Sequence, residues 1–135
     1  MKKIILFLAT IILISGCEKK KEVICIAENG GDRSLTIKLL KEGSSYISTS
    51  AAKAKAFVAF EQYDIPGFSD SSFDLVKVAE NNDDFIRFDN LTCGIYYCKV
   101  RVIDPVTGKT YAGSRIITID ADSPSAEAAI DMTLL

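Results

Sequence analysis

The chain has 135 residues, with 16 Lys and Arg, 18 Asp and Glu and no histidine, which gives a formal charge of −2 at pH 7. This balance argues against nucleic-acid binding, because a surface that follows phosphates needs clustered cations and the longest run of lysines is the three at residues 19–21. The absence of histidine removes the commonest general base and a common zinc ligand. We therefore expect no enzyme, no cofactor and no metal site.

The first 16 residues have the organisation of an export signal. Lys2 and Lys3 precede an apolar run at residues 4–14, and the small residues Ser15 and Gly16 follow it. The apolar run is shorter than the about 20 residues that a membrane-spanning helix needs. Residues 1–16 are therefore predicted to form a signal helix that is cleaved.

Residues 13–17, Leu-Ile-Ser-Gly-Cys, resemble the bacterial lipobox. This resemblance implies cleavage before Cys17 and acyl chains on its sulfur and its amine, which together would hold the protein stably on a membrane. Residues 17–22 then form a lipidated tether, and residues 23–135 form the folded domain. Glu18 replaces the aspartate that favours inner-membrane retention in some Gram-negative bacteria, so we expect the outer membrane, facing the periplasm or the cell surface.

Three cysteines remain once Cys17 is assigned to lipid, and an odd number cannot all pair within one chain. A bond between Cys93 and Cys98 is disfavoured, because a strand advances about 3.3 Å per residue and bridged Cα atoms lie within about 7 Å. We predict a possible disulfide between Cys25 and Cys98, with Cys93 as the alternative partner. Three reduced thiols remain the other interpretation.

Alternating apolar and polar residues predict strands at 33–42 and 54–62, each with one buried face. Further strands are predicted near 23–28, 73–79, 84–88 and 127–134, with turns at 29–32 and 81–84. Residues 50–60 and 125–130 could also be helical on propensity. Phe57, Val58 and Phe60 favour a strand for the first of these segments.

The segment 63–68, Tyr-Asp-Ile-Pro-Gly-Phe, combines two aromatic residues with proline and glycine. Such a segment is typical of a rigid exposed loop that presents contacts to a ligand. Tyr63 and Phe68 are therefore candidate binding residues. Core packing or a plain connection is the alternative interpretation.

The clearest hairpin lies between residues 95 and 119. Residues 104–109 supply its turn, in which Pro105 fixes φ and Gly108 can adopt a positive φ. On the first strand, Tyr97, Lys99 and Arg101 are predicted to point away from the core. The opposite face of that strand consists of Tyr96, Cys98, Val100 and Val102.

Many short strands separated by turns predict an all-β fold, specifically a Greek-key β-sandwich of about seven short strands. Residues 85–97, Phe-Ile-Arg-Phe-Asp-Asn-Leu-Thr-Cys-Gly-Ile-Tyr-Tyr, resemble the F-x-x-L-x-x-G-x-Y-y signature of carboxypeptidase regulatory-like, or transthyretin-like (prealbumin-like), β-sandwich domains. The similarity covers about residues 54–135 and extends to such modules in small lipoproteins of Gram-negative bacteria. It implies that the chain bends at a glycine and that three side chains pack inward: Phe88, Leu91 and Tyr96 around Gly94.

The position before the glycine is often proline in this family and is Cys93 here. The signature is a packing motif, so it implies a fold and carries no catalytic residues. We expect a non-catalytic, lipid-anchored module of the cell envelope that serves in protein interaction, adhesion or assembly. The alternatives are a glycan- or nutrient-binding accessory lipoprotein and a cell-envelope enzyme. The expected partners are the membrane, through the lipid anchor, and an envelope protein or glycan, but not nucleic acid.

Overall fold

Strands dominate the parts of the chain that the computed structural model describes, residues 24–61 and 72–135. The predicted all-β fold is confirmed, while the predicted signal helix and lipidated tether lie outside the described residues. Within the described ranges, no helix is long and apolar enough to cross a membrane. Eight strands are found there: β1 (Asn29–Lys41), β2 (Ser44–Ser45), β3 (Lys55–Phe60), β4 (Leu75–Val78), β5 (Phe85–Leu91), β6 (Gly94–Ile103), β7 (Thr110–Ile119) and β8 (Ser125–Leu134).

The strands form one mixed, curled sheet with two halves. In the first half, β1 pairs with β5 and β2 along one side and with β8 along the other. The second half follows the order β7, β6, β3, β4. The two halves meet where β7 pairs with β8 at Tyr111–Leu134 and Ala112–Thr133. The β1–β8 pairing is parallel and the other pairings are antiparallel, so connections cross between the halves as they do in a Greek key.

The two halves enclose one hydrophobic core, which makes the domain sandwich-like. Leu35, Ile37 and Leu39 of β1 alternate with polar neighbours and are at most 1 % exposed. Burial of each such side chain contributes about 1.5 to 3 kcal/mol. The alternation predicted for β1 and β6 is therefore confirmed, but the single buried face predicted for residues 54–62 is wrong, because Phe57 and Ala59 on the opposite face of β3 are also at most 1 % exposed. The same core cluster contains, from the second half, Ala54, Ala56, Val58, Tyr96, Cys98, Val100, Val102, Ile117 and Ile119.

Two further local predictions were wrong. Residues 24–28 are not a strand; they form an extended segment in which the amide of Ala27 donates to Glu61 Oε1 at 2.5 Å. Residues 29–32 are not a turn but the start of β1, whose register against β5 shifts between Asn29 and Arg33. The strand predicted near 127–134 is confirmed as β8, and residues 125–130 are not helical, because their backbone pairs in parallel with β1 and this tertiary pairing overrides the helix propensity of the alanines.

The turn between β6 and β7 is organised by Asp104. Its Oδ1 accepts hydrogen bonds from the amides of Val106 at 2.8 Å and Thr107 at 3.2 Å. Gly108 has φ +70° and donates its amide to the Asp104 carbonyl, as expected for a left-handed turn position. The two amides favour the ionised carboxylate, so they lower the pKa of Asp104 below its ordinary value of 3.8.

This turn predicts a pH dependence of stability. Because the folded-state pKa of Asp104 is lowered, its contribution to folding is fully present above pH 3.8 and is lost as the pH falls through the lower folded-state pKa. We expect Asp104→Asn, which keeps the acceptor oxygen, to show a shallower acid-induced loss of stability than the unmodified protein. Urea unfolding on both sides of pH 3.8 measures this, with Asp122→Asn as the charge-matched control. Identical acid profiles for Asp104→Asn and the unmodified protein would contradict the role of Asp104.

Candidate functional site

A disulfide joins Cys25 to Cys93, with a Cα–Cα distance of 4.9 Å and a sequence separation of 68. It fixes the segment before β1 to the turn between β5 and β6. Thr92 reinforces this attachment, because its hydroxyl donates to the Ile26 carbonyl at 2.6 Å and its Oγ1 accepts from the Glu28 amide at 3.0 Å. The amino-terminal end of the described domain is therefore held covalently and by hydrogen bonds.

The favoured pairing of Cys25 with Cys98 was wrong, and the alternative partner Cys93 is the one observed. Cys98 lies on the inward face of β6 and is 0 % exposed, so it faces the core and not the segment that carries Cys25. Burial raises the pKa of the Cys98 thiol to about 12. Since thiolates and not thiols are nucleophilic, Cys98 is an inert core residue.

The residues that carry the family resemblance pack as expected. Phe88, Leu91 and Tyr96 are between 0 % and 6 % exposed and belong to the shared core. The Tyr96 hydroxyl donates to the Thr92 carbonyl at 2.7 Å, and burial raises the pKa of Tyr96. Gly94 has φ +153° and lies against the backbone of Ala27. This region is therefore a rigid support beside the disulfide.

The second face of the β3–β6 pair carries the most distinctive group of side chains. We call it the basic aromatic face, and its strand residues alternate with the core-facing residues. Phe57 is 1 % exposed and Tyr97 is 6 % exposed, although they point away from the main core. The ring of Phe73 lies 5.3 Å from the Phe57 ring and 6.4 Å from the Tyr97 ring, measured between centroids. The face consists of Lys55, Phe57, Phe73, Tyr97, Lys99 and Arg101.

Two cations lie against the Phe57 ring of this face. Lys55 Nζ lies 5.4 Å and Arg101 Cζ 5.2 Å from the centroid of the Phe57 ring, within the range of cation–π attraction. Lys55 pairs directly with Arg101 across the two strands, and Phe57 pairs with Lys99. The antiparallel register therefore brings three cations of two strands onto one surface.

A cavity of about 200 Å³ opens at the end of this face that is remote from the disulfide. It lies between the 51–53 segment, Lys55 and residues 101–103 of β6. Arg101 follows Gly94 by seven residues, so the cavity is about 23 Å along β6 from the disulfide end, at about 3.3 Å per residue. The disulfide end and the cavity therefore occupy opposite ends of the domain.

Three site residues that the sequence predicts are not among the residues that the structure describes. Cys17, the predicted lipidation site, lies outside the described residues, and so do Tyr63 and Phe68 of the predicted binding loop. The basic aromatic face was missed as a site, because alternating Lys99 and Arg101 are typical of an ordinary solvated strand face. The signal that the sequence offered was Phe57. It is an aromatic residue on the same face of β3 as Lys55, where the alternation predicts a polar side chain.

Comparisons with protein-family models, with curated proteins and with solved structures give no match to this chain. The class of this protein is therefore described by its fold and by the side chains of its site. It is a disulfide-bonded, all-β, sandwich-like domain with a basic aromatic face at one side.

Proposed function

We propose that this chain is a non-catalytic, lipid-anchored module of the cell envelope that serves in protein interaction, adhesion or assembly. In this proposal Cys17 carries the lipid, and the sandwich-like domain presents a binding surface. The observation that carries the proposal is the Cys25–Cys93 disulfide, which lies a few residues after the lipobox-like sequence.

Two independent features support export from the cytosol. Structural disulfides persist in oxidising compartments and are rare in the cytosol, where thiols are kept reduced. The leader, with Lys2, Lys3 and the apolar run at 4–14, has the composition of a secretory signal. Because these features come from different parts of the chain and rest on different chemistry, their agreement favours an envelope location.

The proposed fold relationship is to carboxypeptidase regulatory-like, or transthyretin-like, domains. It is supported by the inward packing of Phe88, Leu91 and Tyr96 and by the bend at Gly94. Domains of this architecture host many functions, so the relationship supports the scaffold and does not name a ligand.

A binding role is supported by the basic aromatic face. Its side chains project from two paired strands, and sites on strands are held more rigidly than sites on loops. Phe57 and Tyr97 are buried, so any contact with a partner falls on the cationic side chains of the face and not on these rings. The face therefore suits an acidic partner better than a basic one.

Lipidation can be tested by labelling cells with an alkyne-bearing palmitate analogue. We expect label on the unmodified protein and on Cys98→Ala, and no label on Cys17→Ala. Mass spectrometry should find a mature chain that begins at an acylated Cys17. A mature chain that retains residues 1–16, or label that survives Cys17→Ala, would contradict the anchor. Recovery of the protein without any partner after gentle crosslinking in the envelope would count against the interaction role.

A further inference from the structure

We infer that the 24–28 segment docks two exposed isoleucines onto the membrane that carries the lipid of Cys17. These side chains are Ile24, which is 79 % exposed, and Ile26, which is 56 % exposed, and we call them the isoleucine ridge. The inference rests on the lipid anchor proposed above. It adds a second contact with the membrane, and this contact sets the orientation of the domain.

The ridge follows from the alternation of side chains in an extended segment. Cys25 is turned towards the domain by its disulfide, and Ala27 is 4 % exposed beside Gly94. Successive side chains of an extended chain point to opposite sides, so Ile24 and Ile26 project away from the domain. Two large apolar side chains are thus presented to solvent on the same side of the segment.

The ridge is held firmly on the folded domain. The disulfide fixes the segment covalently, and the Thr92 hydroxyl donates to the Ile26 carbonyl at 2.6 Å. The Ala27 amide donates to Glu61 Oε1 at 2.5 Å. Because this backbone is already ordered, contact with a membrane costs little further conformational freedom. A ridge held in this way orients the whole domain when it docks.

The position of the ridge in the chain identifies the membrane as its partner. Ile24 follows Cys17 by seven residues, and a chain of this length spans at most about 25 Å when it is fully extended. A short connection gives a second contact an effective concentration in the millimolar range. Two isoleucines that bind a bilayer too weakly to hold a free protein therefore suffice once the lipid is inserted.

The charge at this end of the domain favours a zwitterionic lipid surface over an anionic one. Arg33 donates to the carbonyls of Ala121 and Ser123, which brings the turn before β8 to the start of β1. The segments gathered there carry four exposed carboxylates: Glu28, Asp32, Asp120 and Asp122. Anionic head groups attract cations and repel carboxylates, whereas apolar insertion does not require charged lipid.

Exposed apolar side chains at the opposite end of the domain lie farther from the anchor. Ile47 is 56 % exposed, the same fraction as Ile26, and it follows β2, which pairs with the last residues of β1. The 13 residues of β1 rise about 3.3 Å each, so its two ends are about 40 Å apart. Ile47 is therefore a matched control, with the same side chain and the same exposure as Ile26 at the end remote from the tether.

The test uses the absence of tryptophan from the chain, because a single introduced tryptophan then reports on its own surroundings. The full lipidated protein, with its acyl groups verified by mass spectrometry, is reconstituted in phosphatidylcholine vesicles whose brominated acyl chains quench tryptophan fluorescence. We expect quenching of Ile24→Trp and Ile26→Trp but not of Ile47→Trp. The preference of tryptophan for membrane interfaces is common to all three variants, so it does not explain a difference between them.

A second set of variants measures the contribution of the ridge. In the Ile26→Trp protein, Ile24→Ser should lower the ratio of docked to undocked domain by about tenfold, the loss expected for one large apolar side chain. Ile47→Ser in the same protein should leave the ratio unchanged. Replacing part of the phosphatidylcholine by phosphatidylglycerol should not increase the quenching.

Absence of quenching in both ridge variants, or equal quenching of Ile26→Trp and Ile47→Trp, would overturn the inference. Stronger docking on phosphatidylglycerol would also overturn it, because the lysines at residues 19–21 would then account for the contact. A lipidated protein without quenching contradicts the docking alone. A chain that carries no acyl group contradicts the anchor as well, so the two failures are distinguishable.

Discussion

Removal of the Cys25–Cys93 disulfide is expected to lower the free energy of unfolding by about 4 kcal/mol. The bond closes a loop with a sequence separation of 68, and a crosslink over such a loop removes many conformations from the unfolded chain. It also holds the 24–28 segment, which forms no strand of its own and contacts the domain through a few hydrogen bonds. Loss of the bond therefore affects both the unfolded and the folded states.

Chemical unfolding of the full chain in detergent, with Cys25→Ala and Cys93→Ala combined, measures this effect. A reductant should destabilise the unmodified protein and should leave the double variant unchanged. Cys98→Ala is the control, because it removes a free buried thiol and keeps the disulfide, so it should still respond to the reductant. Equal stability of the oxidised unmodified protein and the double variant would contradict the prediction.

The substitution Gly94→Ala is expected to destabilise the domain by about 3 kcal/mol or more. Gly94 has φ +153°, a backbone conformation that other residues rarely adopt. A Cβ at this position would also overlap the backbone nitrogen of Ala27 and would lie 2.7 Å from its Cα. Because the disulfide and hydrogen bonds fix the Ala27 segment, that backbone cannot move aside without breaking other contacts.

Gly108→Ala provides the matched comparison. Gly108 also has a positive φ, +70°, but nothing lies within 4 Å of the position that its Cβ would occupy. Gly108→Ala should therefore lower the free energy of unfolding only through its unfavourable backbone conformation, by about 1 kcal/mol. Thermal and urea unfolding of the two variants separate the steric term from the backbone term. Equal losses for the two substitutions would show that the contact with Ala27 has no energetic consequence.

A third variant tests the link between the glycine and the disulfide. In the background without Cys25 and Cys93, the 24–28 segment is freer to move, so Gly94→Ala should cost less than it does in the oxidised protein. Such non-additivity is expected for residues that share a structural restraint.

Period-two alternation was sufficient to predict β1, β3 and the β6–β7 hairpin, because each has one face in the shared core. It failed at residues 24–28, because this segment is held by the Cys25–Cys93 disulfide and does not pair with a strand. It also failed at 29–32, where two glycines indicated a turn. Gly31 instead lies against the Leu91 carbonyl, where a side chain would overlap the neighbouring strand. Such close approach between distant segments is a tertiary property that local sequence does not carry.

The disulfide partner could have been predicted better from the sequence. The alternation of β6 had already assigned Cys98 to the face of Tyr96, Val100 and Val102, and a core position is a poor site for a bond to a peripheral segment. The basic aromatic face could not be predicted in the same way. The opposition of Lys55 and Arg101 depends on the register of β3 against β6, and these strands are separated by more than thirty residues.

The position of the Cys25–Cys93 bond has a mechanical consequence. A pull on the chain before residue 24 reaches the β5–β6 turn through this bond, as well as the start of β1. Without the bond, the same force would act on β1 alone and would open its hydrogen bonds to β5 one after another. With it, the force is divided between β5 in one half of the sheet and β6 in the other. Both halves of the sheet then carry the load, so the peeling of β1 from β5 is no longer the direct route by which tension opens the domain.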